Sequence, residues 1–239
     1  MSAELRVCSL YGDLMNIYAD RGNLLLLERR CAWRGIGFRL TPCGIGEPLS
    51  GEDHDLYYLG GGQDSDQVRC AADLVANKRE PLQEAAARGA IVLGVCGGYQ
   101  LLGHRYEQGA ERIDGVGLLD VTTVREPGPR LIGHVAIEMD GRVLAGFENH
   151  GGRTYLGPGQ QPLGRVLKGH GNDGKSGWEG ARTGNVIGTY LHGPLLPKNA
   201  WFADQLIATA LGMDTSDLDP LDDAFEDAAH ESARRAAGV

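Results

Sequence analysis

The sequence predicts one α/β domain, a three-layer, mostly parallel sheet with an antiparallel extension. Short apolar runs alternate with longer helix-patterned stretches through about the first 110 residues, the βαβ rhythm that builds a parallel sheet with helices on its faces. Two of those runs end abruptly in glycine, at Gly60-Gly61-Gly62 and at Cys96-Gly97-Gly98. Parallel sheets place ligands at such strand ends. Beyond residue 116 the pattern changes to strand-like runs separated by turn residues, as in antiparallel additions.

Taken in order, residues 5–11 read as a first buried strand, and 22–34 as a helix apolar on one face, with Asn23 placed to cap it. Residues 37–41 are a second strand, and 55–59 a third that runs into the three glycines. Residues 64–88 are helical and divided at Pro81, because an interior proline removes a hydrogen bond and clashes with the preceding turn. A fourth strand over 90–95 meets Cys96, and a short helix over 99–105 follows. Runs 116–124, 130–139 and 142–147 form the extension. An apolar run over 185–191 ends at His192, and 197–211 is helical. With no repeat and no long linker, residues 1–211 read as one domain and 212–239 as an acidic C-terminal helix or tail.

Composition narrows the function. The chain has 239 residues, with 23 Lys and Arg against 32 Asp and Glu, a net charge of −9. That balance disfavours nucleic acid and anionic membranes, both of which recruit cations. No apolar run approaches the roughly 20 residues of a spanning helix, and the N-terminal stretch lacks a signal-peptide pattern. A cytoplasmic location is therefore expected. The five cysteines, at 8, 31, 43, 70 and 96, are scattered without a CxxC pair, which reads as reduced thiols with neither a disulfide framework nor a zinc site. No GxxxxGK[ST] stretch offers a P-loop. The 37 glycines are about twice the usual share of roughly 7%.

The strongest chemical signal is Gly94-Val95-Cys96-Gly97-Gly98, between a buried strand and a helix. A nucleophile on a sharp strand-to-helix turn needs small neighbours two residues to either side. The helix N-terminus favours the thiolate and offers free N–H groups to an oxyanion. The other four cysteines read as small buried hydrophobes. A cysteine nucleophile needs a base, normally a histidine brought near by the fold. His54, His104, His170 and His230 lie in polar or terminal contexts, and His134 lies within a strand pattern. Of the remaining pair, His150 and His192, the second is preferred because it ends an apolar strand. The loop at Gly60-Gly61-Gly62 is placed to supply an N–H donor opposite Gly97.

These residues resemble the class I (triad-type) glutamine amidotransferases, in their cobyric-acid-synthase-like branch. The stretches YGDLMNIYADRGN (11–23), GGGQD (60–64) and GFENHGGRTYL (146–156) narrow the likeness to the glutaminase subunits of lipid II isoglutaminyl synthase. The resemblance covers about residues 5–211 and implies a flavodoxin-like sheet. It implies Cys96 as nucleophile, His192 as proton shuttle, and the Gly61 and Gly97 N–H groups as oxyanion hole. It also implies that Gln100, Asn149, Gly151 and Gly152 hold the amino-acid end of glutamine, with Arg130 as a substrate-binding arginine. By this likeness the ammonia passes to a Mur-ligase-like (MurT-type) partner in a heterodimer. That partner carries ATP and magnesium and amidates the D-glutamate α-carboxyl of lipid II during peptidoglycan synthesis, and this chain itself carries no cofactor or metal. Many class members place an acid two residues after the histidine, whereas this chain reads His192-Gly193-Pro194, so a Cys–His dyad is expected. Two other readings stay open: the glutaminase component of a different amidotransferase, and a catalytically silent scaffold of the same fold.

Overall fold

The computed structural model describes residues 3–18 and 20–239. In chain order the first half comprises β1 (Glu4–Leu10), α1 (Arg21–Trp33), β2 (Gly37–Cys43), β3 (Leu56–Leu59), α2 (Asp64–Asp73), α3 (Arg79–Ala87), β4 (Ile91–Val95) and α4 (Gly97–Leu102). The second half comprises β5 (Arg105–Gln108), β6 (Glu111–Asp114), β7 (Val121–Arg125), β8 (Leu131–Met139), β9 (Arg142–His150), β10 (Gly152–Leu156), β11 (Gly164–Lys168), β12 (Trp178–Glu179), β13 (Ala181–Thr183), β14 (Val186–Thr189), α5 (Ala200–Leu211) and α6 (Ala224–Ala237).

The central sheet has six strands in the order β13-β14-β4-β3-β1-β2. The neighbours from β14 to β2 pair in parallel, and only β13 runs antiparallel. Every residue of β3, β4 and β14 is buried, which is why these runs read as continuously apolar rather than alternating. Helices α1 and α5 pack against each other, and α5 against β1 and β4. The β1–α1–β2 and β3–α2–α3–β4 crossovers run in opposite directions along the sheet, so right-handed connections put their helices on opposite faces.

The antiparallel extension differs from expectation in one respect. Only β13 joins the central sheet, and the other strands form two further four-stranded sheets, β10-β7-β5-β6 and β12-β11-β8-β9. Residues 105–114, unassigned or helical by pattern, form the β5–β6 hairpin. The helical stretch after β3 divides at a π-helical turn, Leu74–Lys78, rather than at Pro81. That turn carries Lys78 inward to pair with buried Asp73, which also accepts the Tyr11 hydroxyl at 2.7 Å. Pro81 then falls in the first turn of α3, where its missing N–H costs nothing. Asn23 does not cap α1. Its amide is buried, donating to the Tyr58 hydroxyl and accepting from Leu196 N–H, both at 2.8 Å.

The C-terminal segment folds back onto the domain. α6 packs against β8 and β9, and the fully buried Arg30 of α1 pairs with Asp223 just before α6, at 2.7 Å, as well as with Asp204 of α5. Arg34 shares Asp204 at 2.8 Å. A buried guanidinium is tolerated only when so neutralised.

Candidate active site

The ends of β1, β3, β4 and β14 meet at the carboxyl edge of the central sheet, and each contributes to one cluster. Cys96 follows β4 directly and holds φ 53°, ψ −105°, a conformation costing about 1–3 kcal/mol for a residue other than glycine. The turn is locked on all sides. Cys96 N–H donates to Thr189 O at 2.8 Å, its carbonyl accepts Gln100 N–H at 3.0 Å, and Gly98 N–H donates to Gly60 O at 3.1 Å. The flanking glycines are sterically required. A Cβ on Gly98 would stand 2.1 Å from Leu59 O, and one on Gly94 would stand 2.9 Å from the Gly98 carbonyl.

His192 lies just beyond β14, fully buried. Its backbone is pinned to β9, donating to Phe147 O at 2.8 Å and accepting from Phe147 N–H at 3.1 Å. Its imidazole Nδ1 stands 3.5 Å from Oδ1 of Asp20, which is equally buried. Burial opposes charge on this ring, but the neighbouring Cys96 and Asp20 outweigh it and push the His192 pKa up to about 10. The ring is thus held in its charged form beside Cys96. An acid from the β1–α1 loop stands where the sequence after His192 offers none, so Cys96 and His192 are not a bare dyad in this arrangement.

Asp20 also revises the expected oxyanion donors. Its Oδ2 accepts the Gly61 N–H at 2.7 Å, so that donor, expected to face the substrate, is already committed. The next amide, Gly62 N, lies 3.1 Å from where a Cβ would stand on Gly97, close to the start of α4. The Gly97 N–H opens that helix and has no acceptor among the described residues.

The residues expected to hold the amino-acid end converge on the turn after β9. Arg130 donates from Nε to Asn149 Oδ1 at 2.7 Å and from Nη2 to Asn149 O at 2.9 Å. Gln100 lies underneath, accepting from Gln67 Nε2 at 2.8 Å and donating to the Tyr190 hydroxyl at 3.1 Å. A Cβ on Gly152 would meet Gln100 Nε2 at 2.7 Å, and one on Gly151 would meet the Arg125 guanidinium at 2.0 Å. His150 is stacked on Tyr190 with ring centroids 3.6 Å apart, and its Nδ1 bonds to Gly152 O at 2.8 Å. Burial lowers its pKa, so it supports the turn as a neutral ring.

Asp20, Gln67 and Arg125 were not singled out from sequence. An aspartate directly before a helix reads as an N-cap, and Asp20 occupies that position without making a side-chain cap. The usable signal was the unfilled acid position after His192 together with an aspartate in the loop following β1. Gln67 lies in a helix with an ordinary polar pattern and carried no signal.

The CobB/CobQ-like glutamine amidotransferase domain matches residues 6–200. Lipid II isoglutaminyl synthase (glutamine-hydrolyzing) subunit GatD of Streptococcus pneumoniae is 38% identical over 211 residues, covering 87% of this chain and 81% of its own. The subunit of the same name from Staphylococcus aureus is 39% identical over 210 residues, covering 87% and 84%. Among solved structures, PurLQS from Thermotoga maritima superposes with a TM-score of 0.59 at 21% identity, over 89% of this chain and 96% of that one. This last likeness concerns the fold alone.

Proposed function

The chain belongs to the CobB/CobQ-like glutamine amidotransferase family, and from that premise we propose that it is the glutamine-hydrolysing subunit of a lipid II isoglutaminyl synthase. The observation that carries the chemistry is a cysteine in a strained strand-to-helix turn beside a buried histidine–aspartate pair. The likeness to the two GatD subunits, over most of both chains, supports the choice of final product.

Cys96 sulfur adds to the side-chain amide carbonyl of glutamine. The Gly97 and Gly62 N–H groups receive the oxyanion, and losing one such donor typically costs about 100–1,000-fold in rate. His192 protonates the departing nitrogen, the C–N bond breaks, and ammonia leaves a γ-glutamyl thioester on Cys96. His192 then takes a proton from water as it attacks the thioester, releasing glutamate and regenerating the thiol. Asp20 holds the ring and stabilises its charged form. Arg130, Asn149, Gln100 and the glycines at 151 and 152 form the site for the α-carboxylate and α-amino groups.

Residues 1–211 are the amidotransferase domain in this reading, and 212–239 an appended segment anchored through Arg30. The ammonia acceptor is a Mur-ligase-like, MurT-type subunit in a cytoplasmic heterodimer. That subunit binds ATP and magnesium and activates the D-glutamate α-carboxyl of lipid II, yielding D-isoglutamine. The test is glutamate release from glutamine by the chain and by Cys96→Ala, with and without a co-expressed Mur-ligase-like partner. Cys96-dependent release that rises with the partner is expected. Absence of release in every combination, from folded protein, overturns the reading.

A further inference from the structure

The cluster is closed. Cys96 is 6% exposed and His192 0%, so a substrate the size of glutamine reaches the thiol only if something moves. In the loop between β1 and α1, Ile17 and Tyr18 lie beside the histidine and Gly61. Ile17 N–H donates to Gly61 O at 3.1 Å, and the Tyr18 ring meets the His192 ring edge-on with centroids 5.1 Å apart. Tyr18 is itself 42% exposed and holds φ 55°, a left-handed conformation unfavourable for a bulky side chain. Its hydroxyl accepts a hydrogen bond from Asn149 Nδ2. The same Asn149 is gripped from the other side by Arg130, through both its Oδ1 and its carbonyl. A bridge Tyr18–Asn149–Arg130 therefore spans the mouth between the β1–α1 loop and the turn after β9.

We propose that Tyr18 gates the glutamine site: its ring is seated on His192, and its hydroxyl is latched to the residues that must release it to bind substrate. This inference rests on the glutaminase reading given above. Arg130 and Asn149 have donors and an acceptor suited to an α-carboxylate and an α-ammonium, and in the closed state those groups are spent on each other and on Tyr18. Glutamine enters by exchanging these bonds for its own, which favours a ligand bearing both charged groups over a simple amide. Because Asp20 lies two residues beyond Tyr18, the loop that shuts the site also sets the carboxylate behind His192.

The test uses the full chain and Tyr18→Phe, which removes the latch and keeps the ring. Without glutamine, the rate of Cys96 alkylation by iodoacetamide is read by mass spectrometry of the Cys96 peptide, which separates it from the other four buried thiols. Alkylation is expected to run about fivefold faster in Tyr18→Phe, the value of one ordinary hydrogen bond. The KM for glutamine is expected to fall by a similar factor, because binding no longer has to open the latch. Tyr18→Ala is expected to alkylate faster still and to lose kcat, since the His192 ring loses its support. Alkylation rates and KM unchanged in Tyr18→Phe overturn the gate. Failure of the glutaminase reading is separately visible, as wild-type glutamate release no greater than that of Cys96→Ala.

Discussion

Asp20 carries two duties on one side chain, facing His192 with one oxygen and accepting Gly61 N–H with the other, and it precedes α1 without capping it. Removing its charge separates these duties, because Asp20→Asn keeps an acceptor for Gly61 and loses only the attraction for the imidazolium. Burial alone would lower the His192 pKa, and the raised value of about 10 depends on Cys96 and Asp20. Asp20→Asn is therefore expected to pull the alkaline limb of the pH–rate profile downward, since less imidazolium remains to protonate the leaving nitrogen. A fall in kcat of about 100-fold is expected, the usual scale for a positioned general acid–base. Steady-state glutaminase kinetics across pH 6–10 check both. An unmoved alkaline limb would show that Asp20 serves only the backbone of Gly61.

Among the elements, the β4–α4 elbow shows how far residue spacing alone can reach. The Gly-x-Cys-x-Gly pattern implied close packing at two glycines, and both prove to be jammed against backbone. Gly98→Ala is expected to destabilise the fold by about 3 kcal/mol, at the upper end for overpacking, because the obstacle, Leu59 O, belongs to a fully buried strand. The midpoint of urea unfolding measures this. Strand ends were legible for the same reason: β3, β4 and β14 are buried throughout, and the apolar runs that hold them give way to Gly60, Cys96 and His192. The β5–β6 hairpin and the separate sheets were not legible, because short half-exposed strands such as Glu111–Asp114 carry little apolar pattern. The π turn was hidden by Pro81, whose presence offered an easier place to divide the helix. Asp20 was hidden because its partner, His192, lies at the far end of the chain and only the fold brings the two together.

On the scale of the whole molecule, buried charge sets the response to pH. Glu179 is wholly buried, accepting from Tyr190 N–H at 2.6 Å and from the Thr189 hydroxyl. Burial raises its pKa from 4.5 to about 8. A carboxyl with a raised folded pKa stabilises the fold fully below its ordinary value, and that contribution is lost as pH rises through about 8. His192 acts in the same direction at higher pH: its contribution is complete below 6.5 and lost through about 10. Stability is therefore expected to decline from pH 5 to pH 9, and Glu179→Gln is expected to flatten most of the part between pH 5 and 7, where His192 contributes little. Urea unfolding at pH 5, 7 and 9 checks it, and equal slopes for both proteins would refute the assignment to Glu179.

The backbone bridge between His192 and Phe147 ties the site to two sheets at once. The thiol's elbow belongs to the central sheet, whereas the histidine, just beyond β14 of that sheet, is also bonded to β9 of another. Competence therefore depends on the two sheets staying docked, because the thiol's elbow and one of the two supports of the base lie on different sheets.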